Sequence, residues 1–134
     1  MSTNSTIGYV REDGKVVSAY CHWDGYPSHN GKILLKNYNT LERVKELVDE
    51  GDMSSLGARC HKPKGHSYET PVEGVTVYYG RDRGEKKVGC RKHANADKFF
   101  SDREEYNYLF IDGKWYFTSY DEKDINLLTP KICK

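Results

Sequence analysis

The stretch Glu105–Tyr120, "EYNYLFIDGKWYFTSY", decides the fold. Asp112-Gly113 stands between two β-prone runs, and Asp-Gly suits a two-residue type I′ turn, whose central residues both take positive φ. Such a turn pairs Ile111 with Lys114, Phe110 with Trp115 and Tyr108 with Phe117, and paired residues share a face. One face then carries Tyr106, Tyr108, Phe110, Trp115 and Phe117. A face so rich in aromatic rings has to be covered, so the hairpin predicts an antiparallel sheet with a tyrosine-rich core.

Asp13-Gly14 has the same role in "TIGYVREDGKVVSAYCHW", Thr6–Trp23. The same turn rule places Gly8, Val10, Val17, Ala19 and Cys21 on one face, with Trp23 following if the strand runs on. Ile7, Tyr9, Tyr20 and His22 take the other. A one-residue change in the turn exchanges the faces. Neither face is cleanly polar, which predicts a sheet covered on both sides or one with a concave aromatic side.

Between the hairpins, Ser28 is placed to cap a short helix reaching about Tyr38. Thr40 caps a second, "LERVKELVDE", with Leu41, Val44, Leu47 and Val48 in one stripe and Gly51 at the stop position. Residues 51–71 read as a long loop, "VEGVTVYYG" (72–80) as a strand, and 81–105 as an exposed basic loop with a helical turn around Ala94–Phe100. "DEKDINLLTP" (121–130) reads as a short terminal helix. The expected fold class is α+β: a largely antiparallel sheet built from two hairpins plus a middle strand, with two short helices after the first hairpin. One domain spans 1–134, with the polar residues 1–5 frayed.

Bulk composition narrows the function classes. Of 134 residues, 37% are hydrophobic and 13% aromatic, including 11 tyrosines, and the net charge is +1. No global charge drives the chain to nucleic acid or membrane. No apolar run approaches the roughly 20 residues of a bilayer span, and no secretory leader is evident. A cytosolic protein with its cysteines reduced is expected; Cys21, Cys60, Cys90 and Cys133 are spaced unlike a disulfide framework.

The densest chemistry lies in "YCHWDGYPSHNGKILL", Tyr20–Leu35. As a fold corner, Cys21 and Trp23 face the core, Asp24-Gly25 turns the chain and Pro27 ends the strand. As a site, Tyr20, His22 and Asp24 share a strand face and, with Tyr26, form a polar and aromatic wall. His22 and Asp24 would serve as acid and base in a small hydrolase, although His-x-Asp alone is a weak signal. Cys60, His66, Cys90 and His93 have zinc-ligand character, two pairs on long loops, but match no finger pattern. Arg81, Arg83, Lys86, Lys87 and Arg91 crowd a glycine-loosened segment suited to phosphate or carboxylate. Beside aromatic rings they would receive a nucleotide; single-stranded nucleic acid is the less favoured partner. No phosphate-loop or dinucleotide fingerprint is present.

"STNSTI", "YCHWDGYP", the following G-x-x-L-L-x-x-Y, "GDMSSLG", "RDRGE" and the C-terminal "YLF…WY" hairpin cover most of the chain. In these the sequence resembles a set of small tailed-bacteriophage proteins. The resemblance implies an accessory protein acting in the cytoplasm of an infected bacterium, in host takeover or anti-defence, and carries over no catalytic residue. The expected function is non-enzymatic binding, either sequestering a small anionic or nucleotide ligand or blocking a host protein. The ligand reading rests on Tyr20, His22, Asp24, Tyr26, Arg81, Arg83, Lys86, Lys87 and Arg91 and requires a concave aromatic pocket. The blocking reading requires a flat exposed patch. The alternatives are a zinc-braced or nucleic-acid-binding module and the His22/Asp24 hydrolase.

Overall fold

A computed structural model of the chain describes residues 2–101 and 104–134. The element order is β1 (Ser5–Val10), β2 (Val16–Cys21), a π-type turn (Pro27–Gly31), α1 (Lys32–Asn37), α2 (Leu41–Asp49), β3 (Met53–Ser55), β4 (Val77–Tyr78), α3 (Tyr79–Arg83), β5 (Arg91–His93), α4 (Ala96–Ser101), β6 (Tyr106–Ile111), β7 (Lys114–Ser119) and β8 (Glu122–Leu127). The class is α+β, with one eight-stranded, mostly antiparallel sheet in the order β4-β3-β2-β1-β6-β7-β8 and β5 also on β2. The two hairpins lie side by side through a parallel β1–β6 pair. Among the described residues no helix is long and apolar enough to cross a membrane.

The hairpins differ in their turns. Asp112 (φ +48°) and Gly113 (φ +81°) are both left-handed. Tyr108 accordingly faces Phe117, and Phe110 faces Trp115. In the first hairpin Gly14 (φ +84°) is left-handed but Asp13 is not. The loop there holds three residues, closed by Arg11 N–H to Lys15 O at 2.8 Å. Val10 therefore faces Val16, and Tyr9 faces Val17. The expected faces regroup: Ile7 and Tyr9 join Val17, Ala19 and Cys21 in the main core, while Val10 and Gly8 move to the side of Val16, Ser18 and Tyr20.

The main core lies under α1 and α2: Leu34, Tyr38, Val44, Leu47 and Val48 share one cluster with Ile7, Val17 and Ala19 of the first hairpin, on which α2 lies, and with the aromatic face of β6–β7. Thr40 caps α2 by accepting from Arg43 N–H at 3.3 Å. Leu41, expected in the buried stripe, is 43% exposed: it stands at the first turn of α2 and lines an open cleft beside the first hairpin turn. Gly51 (φ +101°) ends the helix where an added Cβ would lie 2.5 Å from Val88 O. Buried rings keep their polar tips satisfied: Tyr38 O–H donates to Gly57 O (2.7 Å), Tyr108 O–H to Gly25 O (2.6 Å) and Trp115 Nε1–H to Tyr38 O (2.9 Å). On the opposite face α4 lays Phe99 and Phe100 against Val16 and Leu109.

Several expectations are corrected. Residues 121–130 are not helical; Glu122–Leu127 pairs with β7 as an edge strand. The loop 51–71 contains β3, the strand expected at 72–80 contracts to Val77–Tyr78, and the basic loop contains β5. The first helical segment starts at Pro27, whose fixed φ suits a first helical position, so Ser28 is not its cap. Residues 3–5 are not frayed: Thr3 O accepts from Gly25 N–H, Asn4 O accepts from Tyr106 N–H and Ser5 opens β1, while Met1 lies outside the described residues.

Candidate functional site

The candidate site lies on the α4 side of the sheet, where β5, β2 and β1 adjoin. Antiparallel pairing sets Ser18 opposite Arg91 and Val16 opposite His93, while Tyr20 faces Thr6 on β1. Thr6, Ser18, Tyr20, Arg91, His93, Phe99 and Glu104 line a cavity of about 230 Å³. At ~30 Å³ of liquid volume per water, that holds roughly eight waters, or a small polar ligand.

Each wall is fixed by a specific contact. Ser18 Oγ lies 2.8 Å from His93 Nε2. Arg91 holds Asp52 in a fork, Nη1 and Nη2 each 3.0 Å from a carboxylate oxygen. Asp52 also accepts Tyr20 N–H at 3.0 Å, so its carboxylate takes the place of a strand partner between β5 and β3. Asp52 is thus a positioning residue for both Tyr20 and Arg91. Thr6 Oγ1 donates to Asn107 Oδ1 (2.7 Å), and Asn107 Nδ2–H donates to Thr118 Oγ1 (3.2 Å), continuing a polar row across the sheet.

A row of rings leaves the cavity. The Tyr20 hydroxyl is 2.7 Å from His22 Nδ1, and the His22 ring meets the Trp23 ring edge-on at 4.6 Å. Burial, and secondarily the Glu104 charge, pushes the Tyr20 phenol up to about 12. Cys21 is buried as expected, but Trp23 is 42% exposed, contrary to the inward direction expected of it. The strand ends at Cys21, and Asp24 takes a left-handed φ of +57°, so the alternation does not reach the indole.

No protein-family model, curated protein or solved structure matches this chain.

Tyr20 and Arg91 come together in the cavity, and His93 joins them. The other candidates lie elsewhere. His22 and Asp24 are not paired: His22 is bonded to Tyr20, and Asp24 accepts from Tyr26 O–H at 3.1 Å. Arg81 is structural; it forks onto Asp82 (2.9 and 3.1 Å), donates to the Cys60 and Thr76 carbonyls and lies 4.6 Å over the Tyr78 ring. Arg83 covers Tyr68 at 4.7 Å and pairs with Glu85 at 3.6 Å. Lys86 and Lys87 are exposed on the following turn.

The four zinc candidates have separate surroundings. Burial and the Glu46 carboxylate, which the Cys60 thiol meets at 3.2 Å, push Cys60 up to about 11. His66 accepts from Val72 N–H at 3.0 Å through Nδ1, so its other nitrogen carries the hydrogen given to Asp82 at 3.2 Å. Cys90 is exposed, and His93 faces Ser18. Among the described residues no group of three or more His, Cys, Asp or Glu side chains is arranged to hold a metal. Cys21, pushed by burial up to about 12, is a poor nucleophile.

Thr6, Ser18, Asp52 and Glu104 were not singled out from the sequence. Ser18 was within reach: with a three-residue first turn, Ser18 and Tyr20 share the face away from the main core. Asp52 acts across 32 positions on Tyr20, and no local pattern announces that. A larger cleft of about 430 Å³ between the first turn and α2 holds none of the candidate residues.

Proposed function

We propose that this chain is a phage accessory protein, a non-enzymatic binding module that withdraws a small nucleotide-type ligand from a host bacterial system. The observation that carries the reading is the union of Tyr20 and Arg91 in one polar cavity, with the Tyr20 ring in contact with His22 and His22 in turn with Trp23. The sugar hydroxyls of the ligand meet Thr6, Ser18 and the Glu104 carboxylate, the phosphate meets the half-exposed outer side of the Arg91 guanidinium beside its Asp52 fork, and the base stacks on the exposed indole. The separation of His22 from Asp24, and the buried Cys21 thiol, favour binding over hydrolysis.

Native mass spectrometry of protein purified from bacterial cells, followed by nucleotide titration of Trp23 fluorescence, tests this. A retained nucleotide is expected, with quenching on titration. Trp23→Ala is expected to weaken binding by about 1–3 kcal/mol, the range of one base stack, with thermal stability preserved because the indole packs outside the core. No bound nucleotide at millimolar concentration would sink the ligand reading. One observation favours the alternative of a blocked host protein: Trp23, Tyr26 and Tyr120 are all exposed and lie just past the sheet row Cys21–Ser5–Tyr106–Ser119. Under that reading Trp23→Ala abolishes capture of the host protein and leaves nucleotide titrations flat.

A further inference from the structure

A second cleft, separate from the candidate site, lies between α1 and the C-terminal turn. It encloses about 330 Å³ and is lined by Lys32, Leu35, Lys36, Pro130, Cys133 and Lys134. Its floor is apolar: Leu35 is half-buried against the main core, and Cys133 is buried within it. The turn is pinned in place. Cys133 N–H donates to Thr129 O at 3.2 Å, and Leu128 packs where a Cβ on Gly31 would meet it at 3.3 Å.

Lysine side chains line the rim. Lys32 and Lys36 are four residues apart on α1, so both ammonium groups project over the same groove, and like charges at that spacing repel. Neither forms an ion pair with a carboxylate among the described residues. Lys32 also opposes the rise that burial imposes on the Cys133 thiol, which places its charge beside the floor. An apolar trough under two repelling cations is complementary to a molecule with an apolar body and an anionic end.

We infer that this cleft binds a small free amphipathic anion, a short alkyl chain ending in a carboxylate, with the chain on Leu35, Pro130 and Cys133 and the carboxylate between Lys32 and Lys36. The probe is octanoate, titrated into the full chain and read by calorimetry and by the Leu35 methyl NMR signals. Saturable binding that shifts the Leu35 methyls is expected, with no binding of octylamine. Lys32→Glu/Lys36→Glu is expected to weaken octanoate about tenfold, since attraction becomes repulsion at two exposed positions. Lys32→Gln/Lys36→Gln, which keeps the stems, gives the same direction should the reversal unfold the protein. Octylamine binding as tightly as octanoate, unchanged affinity in the glutamine variant, or partition onto phosphatidylglycerol vesicles in place of free octanoate would each overturn the inference.

Discussion

Asp82 ties three segments together through one buried carboxylate. Its carboxylate takes the Arg81 fork, the Tyr78 N–H at 2.8 Å and the His66 ring at 3.2 Å. The start of α3 is thereby tied to β4 and to the 59–76 segment. Burial raises this carboxyl, but the Arg81 guanidinium, the Tyr78 amide and His66 together outweigh it and hold Asp82 below the usual carboxylate range. The unfolded chain therefore takes up this proton first as pH falls. The stabilisation is complete above about pH 4 and is lost as pH drops through the lowered value. Asp82→Asn leaves Arg81 nearly buried without its counter-charge and is expected to cost about 3 kcal/mol at neutral pH. Urea unfolding at pH 7 and at pH 3 checks this: the gap between variant and parent should shrink at the lower pH, and a constant gap contradicts the assignment. The same cluster explains why Arg81 misleads a reader of the sequence. Within "RDRGE" it looks like a phosphate ligand, but the neighbouring Asp82 carboxylate and the carbonyls of Thr76 and Cys60 take up its donors.

At the scale of elements, α4 is held to the sheet by close approach. An added Cβ on Gly8 would lie 2.8 Å from Val17 O, 3.1 Å from Ser18 Cβ and 3.3 Å from the Phe99 ring. Gly8→Ala is therefore expected to push Phe99 off the strands and destabilise the protein by about 1–3 kcal/mol, the usual cost of overpacking. Because Phe99 also lines the candidate cavity, ligand affinity should fall with it. Thermal melts alongside nucleotide titration check both effects, and an Ala variant as stable as the parent contradicts the packing. Elements with a local signature were legible in the sequence. The second hairpin follows from Asp112-Gly113 and its aromatic alternation, and α2 from Thr40, its apolar period and Gly51. The first hairpin was legible in existence but not in register, because Glu12-Asp13-Gly14 builds a three-residue loop in which Gly14 alone is left-handed. Strands β3 and β5 each span three residues and owe their pairing to a distant β2, so no periodicity could accumulate. Strand β8 reads as a helix because "DEKDINLLTP" is charged with apolar residues near its end. The unpaired edge of β7 overrides that preference.

For the whole molecule, a core made of tyrosine sets the response to alkali. Tyr38, Tyr78 and Tyr108 are fully buried, and burial, the largest cause in each, raises all three phenols well above their ordinary value. Tyr78 O–H donates to Leu47 O at 2.5 Å, Tyr38 O–H to Gly57 O and Tyr108 O–H to Gly25 O, so the protonated form is the one the fold uses. In the unfolded chain these groups ionise near pH 10. Above that pH the unfolded state releases protons that the native state keeps, and linkage makes stability fall as pH rises. The stabilisation is thus intact below about pH 10 and lost progressively above it. In an alkaline titration followed by tyrosinate absorbance and circular dichroism, exposed rings should ionise gradually while the buried ones appear in one cooperative step, together with loss of structure. Tyr108→Phe supplies the control. It leaves Gly25 O without its donor, at a cost of about 1–2 kcal/mol at neutral pH. It also removes one ionisation from the unfolded state, so the stability curves of variant and parent should converge above pH 10. Smooth ionisation of every tyrosine with the circular dichroism unchanged would mean that these rings are not the interior of the fold.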